Sequence, residues 1–123
     1  MKVLIMLCLL SLAVSCLAEI TFYSTADDNI DVDALMKIPE KIKYHMDCFV
    51  DRRPCEPFSQ SYKNNMPEAI ATECKRCSPA QKFRWSRFLT GLKENYPSEY
   101  EAFKQKYDPE NIYLEIFEKA VAN

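Results

Sequence analysis

The segment Glu73-Cys74-Lys75-Arg76-Cys77 sets two thiols three positions apart around a basic pair, a spacing that admits three chemistries. A redox centre would need the pair to follow a strand and open a helix, so that the helix dipole lowers the first thiol's pKa. Here the pair follows the helical stretch PEAIATE and stands at its C-terminal end, where the dipole disfavours a thiolate. A zinc site would need two further soft ligands, and Cys48 and Cys55 with the lone His45 make a poor match to finger spacings. The remaining reading is a covalent staple. Nothing else in the chain supplies a reaction centre: there is no glycine-flanked serine elbow, and the carboxylates Asp27, Asp28, Asp31 and Asp33 crowd one solvated, cap-rich run. A lone histidine on a helix is ordinarily structural or exposed, its one special chemistry being titration near neutral pH. No enzyme activity, no catalytic residue, no cofactor and no metal are expected.

Which thiol chemistry prevails depends on the compartment. Met1-Lys2, an apolar run from Val3 to Val14 and small residues at Cys16 and Ala18 have the three parts of a secretory signal, with cleavage expected after Ala18. The run falls short of the roughly 20 residues that a spanning helix needs. Ala13 stands where a lipoprotein signal usually carries leucine, which argues against processing before Cys16. The expected product is one secreted, extracellular domain of residues 19–123, with no membrane insertion. Cys8 and Cys16 leave with the leader, and in an oxidising compartment the remaining Cys48, Cys55, Cys74 and Cys77 form disulfides with no thiol left over. Four cysteines allow three pairings, and spacing alone leaves all three open. Two local rings, one of them around ECKRC, would act as staples at helix boundaries.

Removing Lys2 leaves 15 basic against 18 acidic residues, and no basic block is longer than Arg52-Arg53 or Lys75-Arg76. That balance excludes nucleic acid as a partner and a basic membrane-surface helix alike. Asp51-Arg52-Arg53 reads as a solvated turn.

The elements that carry these residues are helical. The chain has a single glycine, Gly91, and its prolines stand at the starts of periodic segments, where proline suits a first helical turn. Ser78-Pro79 with Gln81 has the spacing of a capping box, Ser98 with Glu101 repeats it, and Asp108-Pro109 marks a third start. Further helices are expected from about Asp31 to Ile38, Pro39 to Phe49, Phe58 to Asn65 and Pro67 to Lys75. The fold class is all-α: a compact single domain of about six, at most seven, short helices.

The pattern Cys48-x6-Cys55-x18-Cys74-x2-Cys77 resembles that of the insect chemosensory proteins, and so do DNIDVD at 28–33, MPEAIATECKRC at 66–77 and KYDPE at 106–110. The resemblance runs without a gap over nearly the whole mature chain. It implies pairing of Cys48 with Cys55 and of Cys74 with Cys77. It also implies helices around an apolar channel that binds long-chain alcohols, fatty acids, esters or similar semiochemicals. Four positions depart from the family's pattern. His45 stands for a tyrosine three places before the first cysteine, Ser59 for a glycine, Tyr100 for a tryptophan and Asn111 for a glycine.

Trp85, Phe88, Leu89 and Leu92 share one helical face by their spacings of three and four. Ile112, Ile116 and Ala120 make a second stripe, with Tyr113 and Phe117 beside it. Periodicity cannot tell a filled core from a hollow one, so the assignment of a channel to these stripes comes from the resemblance. On that basis the expected ligand wall comprises Ile42, Tyr44, His45, Tyr62, Met66, Ile70, Trp85, Phe88, Leu89, Leu92, Tyr100, Tyr113 and Phe117. Seven tyrosines suit a cavity that needs area with an occasional hydroxyl. The expected function is a secreted, monomeric carrier of a small hydrophobic ligand, with a receptor as a further partner. A secreted signalling or developmental factor acting through protein contacts is the alternative. An enclosed cavity would favour the carrier, an exposed apolar patch the factor.

Overall fold

The computed structural model describes residues 20–26 and 29–122. The proposed leader at 1–18, with Cys8 and Cys16, lies outside the described residues, as do Asp27 and Asp28. The described residues form seven α-helices and no strand: α1 (Val32–Met36), α2 (Pro39–Phe49), α3 (Pro57–Lys63), α4 (Met66–Ala71), α5 (Pro79–Asn95), α6 (Pro97–Tyr107) and α7 (Leu114–Val121).

Proline opens five of them, α2 through α6, because its fixed φ suits the first turn and its missing N–H is one that no helix would satisfy there. The capping box at Ser78 is complete: the Gln81 N–H donates to Ser78 Oγ at 3.1 Å, and the Ser78 N–H donates to Gln81 Oε1 at 2.9 Å. Asp31 caps α1 through the Ala34 N–H. The expected box at Ser98 does not form, because α6 already begins at Pro97 with Tyr96 as its cap and no side chain capping it.

Asp108-Pro109 does not start a helix directly either. Asn111 adopts φ 57°, a left-handed conformation that interrupts the helix, and α7 begins only at Leu114. Asp108 instead reaches forward, accepting the N–H groups of Ile112, Tyr113 and Leu114 at 2.8, 3.1 and 2.9 Å. Burial alone would raise the pKa of this carboxyl, which is 2% exposed, yet the backbone donors outweigh it and hold the pKa below the ordinary aspartate value.

Helix α5 is the axis of the molecule, packing against α1, α6 and α7, while α2 bridges α1, α3 and α6. The core gathers Ile42, Met46, Ile70, Leu89, Leu92, Phe103, Leu114 and Phe117, each at most 2% exposed. The chain's single glycine lies here. A Cβ on Gly91 would come within 2.7 Å of Met36 Sδ and 2.8 Å of its Cγ, so α1 approaches α5 only because position 91 has no side chain.

Two disulfides join Cys48 to Cys55 and Cys74 to Cys77. Helix α4 ends before the second ring, where Glu73 and Cys74 both take positive φ and the Cys74 N–H donates to Ala69 O at 2.8 Å. The loop at 51–53 is tied down on every side. Asp51 pairs with Lys63 and Lys106, Arg52 with Asp47 and Glu99, and the Arg53 guanidinium lies 3.6 Å over the Tyr44 ring.

Candidate ligand-binding site

The N-terminal half of α5 presents Gln81, Arg84, Trp85 and Phe88 at i, i+3, i+4 and i+7, one helical stripe whose first two members are polar. Opposite it stand Ile30, Val32 and Leu35, which belong to α1 and its approach. His45 and Phe49 come from the end of α2, and Phe58 and Tyr62 from α3. Between these elements lies an apolar cavity, about 90 Å³, set in about 740 Å³ of space free of protein atoms that reaches solvent. Asn65, Met66 and Cys77 complete the lining together with Tyr23 and Thr25 of the extended N-terminal segment.

That segment is a strap. The Tyr23 N–H donates to Arg76 O at 3.0 Å, Arg76 Nε to Thr21 O at 2.9 Å, and the Ala26 N–H to Ser61 Oγ at 3.0 Å. Gln81 Nε2 donates to Tyr23 O at 2.7 Å and to Thr25 Oγ1 at 3.3 Å, so the residue that caps α5 also holds the strap on the cavity.

Trp85 divides the two sides of the interior. It lines the cavity, and its ring meets Phe117, Phe103 and Phe88 edge-on at centroid distances of 4.9, 6.1 and 6.3 Å. His45 is half-buried on the opposite wall. Its ring stacks on Phe49 at 6.2 Å and meets Phe58 at 5.8 Å, and its Nδ1 lies 2.9 Å from Ser59 Oγ. Desolvation lowers the imidazole pKa below its ordinary value; Glu56 opposes that shift and Arg53 and Lys41 reinforce it. The ring is therefore neutral at pH 7.

The structure gathers His45, Tyr62, Met66, Trp85 and Phe88 around this cavity and distributes the other expected wall residues elsewhere. Ile42, Ile70, Leu89, Leu92 and Phe117 are buried in the close-packed core. Tyr44 lies under Arg53, Tyr100 packs on the core with its hydroxyl on Glu118, and Tyr113 is exposed. The late start of α7 explains the last of these: Ile112 and Tyr113 precede the helix, and its buried stripe is Leu114, Phe117 and Val121. The tyrosines serve as struts. Hydroxyls of Tyr23, Tyr62, Tyr96, Tyr100 and Tyr107 donate to Glu68, Ala26 O, Met36 O, Glu118 and Phe49 O. The Tyr23 phenol is pushed up to about 12 by burial and by Glu68.

Sequence reasoning did not place Phe49, Phe58, Arg84 or the strap at the site, and it read Gln81 only as a helix cap. The first two were detectable, since Phe49 lies four residues after His45 and Phe58 four before Tyr62. Gln81 and Arg84 share the stripe of Trp85 and Phe88 but are polar, so an apolar pattern passes over them. Nothing local marks Tyr23 and Thr25.

The model of the insect pheromone-binding family A10/OS-D matches residues 23–115. The chain belongs to that family. The described residues of this A10/OS-D protein include no helix long and apolar enough to cross a membrane. It is 35% identical to ejaculatory bulb-specific protein 3 of Drosophila melanogaster over 95 residues, 77% of this chain and 75% of that one. It is 32% identical to allergen Tha p 1 of Thaumetopoea pityocampa over 114 residues, covering 89% and 90% of the two chains. Among solved structures, a chemosensory protein in complex with bromo-dodecanol matches with a TM-score of 0.71 and 25% identity, over 79% of this chain and 97% of that one.

Proposed function

We propose that this A10/OS-D protein is a secreted carrier that holds one small apolar molecule, a long-chain alcohol, fatty acid or ester, in the cavity between α1, α2, α3 and α5. The observation that carries this reading is the cavity itself, walled by Ile30, Val32, Leu35, Phe49, Phe58, Met66, Trp85 and Phe88 and continuous with solvent. Such a space excludes competing polar solutes and rewards transfer of an alkyl chain from water by about 0.8 kcal/mol for each methylene buried. The family's description and the bromo-dodecanol complex of the related fold support it. The carrier performs no reaction. Binding, protection from water and release are its whole chemistry, and the domain proposed for them is residues 19–123 after removal of the leader.

Trp85 is the chain's only tryptophan and lines the cavity, so its emission reports occupancy. Titration with 1-dodecanol is expected to change that emission saturably at micromolar concentration, which corresponds to about −8 kcal/mol. Native mass spectrometry of protein from its source should show a copurified lipid. A second reading, a signalling factor working through protein contacts, is favoured by one observation: Ile112, Tyr113 and Ile116 are 51%, 44% and 51% exposed around the start of α7. If no alkyl ligand saturates the Trp85 signal and no lipid copurifies, that second reading takes the carrier's place.

A further inference from the structure

The cavity wall carries several polar side chains, and most have their hydrogen-bonding capacity committed within the protein; on the α5 wall the buried Arg84 has an Nε that makes no hydrogen bond with the described residues. The Tyr23 and Tyr62 hydroxyls donate to Glu68 and Ala26 O, Asn65 Nδ2 donates to Ser61 O, and Gln81 spans Ser78 and the strap. His45 differs. Ser59 Oγ engages its Nδ1, and Nε2 makes no hydrogen bond with the described residues. Ser59 is 1% exposed and cannot turn to water, so it pins the ring on the wall instead of leaving it to rotate.

We propose that His45, held by Ser59, is the residue that selects for a hydroxyl head group, making this cavity a site for long-chain primary alcohols in preference to equally long ligands without one. This rests on the carrier reading and names the ligand class within it. A hydroxyl suits Nε2 in either tautomer, because it donates to an unprotonated nitrogen and accepts from a protonated one. A neutral ring stacked on Phe49 and close to Phe58 gives a carboxylate no countercharge at His45; the cationic Arg84 on the α5 wall of the same cavity is the group that an acid would seek instead.

The test compares 1-dodecanol with 1-chlorododecane, which has the same number of heavy atoms and no strong donor or acceptor, by Trp85 emission in wild type, His45→Phe and Ser59→Ala. The ratio of the two dissociation constants is read in each protein, and the change in that ratio between proteins cancels the difference in hydration of the free ligands. The preference for the alcohol is expected to fall about tenfold in His45→Phe and about threefold in Ser59→Ala, the scale of one buried hydrogen bond and of losing its orientation. Ser59→Ala removes one atom from a buried site and keeps the test available should His45→Phe not fold. A ratio unchanged in the variants, with both ligands binding, overturns the role of His45 and leaves the carrier reading intact. Tighter binding of dodecanoate than of dodecanol in wild type, undiminished in His45→Phe, overturns it too by moving head-group recognition to another residue. Failure of every ligand to bind wild type removes the carrier reading itself.

Discussion

The two halves of α5 face different interiors. Its N-terminal half turns Gln81, Arg84, Trp85 and Phe88 toward a hollow. Its C-terminal half turns Gly91 and Leu92 into the core against α1, α6 and α7, with Leu92 fully buried, while Leu89 borders a smaller, more polar cavity of about 70 Å³ beside Lys93 and Glu118. Trp85 and Phe88 on the first half are as apolar as Leu89 and Leu92 on the second. What differs is what comes to meet them. Phe103, Leu114 and Phe117 fill the core, with Phe103 and Phe117 edge-on against Trp85 itself, whereas the cavity side of the first half meets the five-residue α1, the ends of α2 and α3, and a strap held by hydrogen bonds. Short elements and an extended segment cannot supply enough side chains to fill the gap, and a cavity remains.

That difference predicts unequal costs for equal truncations. Phe103→Ala, from a fully buried ring in contact with Trp85, Phe88 and Tyr107, should destabilise by about 3–5 kcal/mol in urea unfolding. Phe88→Ala already borders empty space and should cost about 1–2 kcal/mol while shifting ligand preference toward bulkier chains. Equal losses at the two positions would mean that the N-terminal half is packed as tightly as the other.

Asp108 sustains the filled side by holding the start of α7. Asp108→Ala strips three N–H groups of their acceptor and should cost about 2–4 kcal/mol. Its folded pKa is depressed, so the unfolded chain takes up the proton first as pH falls. The contribution is present above the ordinary aspartate value of about 4 and is lost as pH drops through the lower folded value. Melting temperature against pH should show this acid-side loss in wild type, and a variant with Asn at 108 should lack it.

The disulfides separate the regions again. Replacing Cys48 and Cys55 with alanine opens the larger ring and should lower stability by about 2–3 kcal/mol, with ligand affinity little changed because neither cysteine lines the cavity. Replacing Cys74 and Cys77 costs less stability, since that ring is smaller, but Cys77 borders the cavity, so affinity should fall. Thermal melts beside Trp85 titrations distinguish the two patterns.

The smallest effect is expected at the junction. Gly91→Ala gains about 1 kcal/mol of helix propensity and loses about 1–3 kcal/mol through its clash with Met36, for a net cost of about 1 kcal/mol. Because α1 also carries Val32 and Leu35 on the cavity wall, ligand affinity should respond more than melting temperature does.

Much of the helical framework was readable before the fold was seen, for local reasons. Proline restricts its own φ wherever it stands, and Ser78 with Gln81 satisfies its helix end using only neighbours. Local signals failed where a distant contact won. Asp108 looked like a cap for the residues immediately after Pro109, yet its carboxylate serves N–H groups four to six residues on, beyond the left-handed Asn111. Ser98 had the right spacing and no helix end left to cap. At the site, His45, Tyr62, Met66, Trp85 and Phe88 were legible as apolar or aromatic members of periodic segments. Ile42, Ile70, Leu89, Leu92 and Phe117 carried the same signal and packed into the core instead.

By itself the sequence determined that this protein is helical, where most of its helices begin and, outside the last helix, many of the residues that turn inward, because dihedral preference, capping and periodicity act within a few residues of chain. It also carried the spacing by which the cysteine pattern could be matched to a family. Only the tertiary structure decided which inward faces meet a partner and which meet a void. That outcome depends on volumes brought together from residues as far apart as Tyr23 and Gln81, joined by a hydrogen bond of 2.7 Å across 58 positions, and no local pattern encodes a distance of that kind.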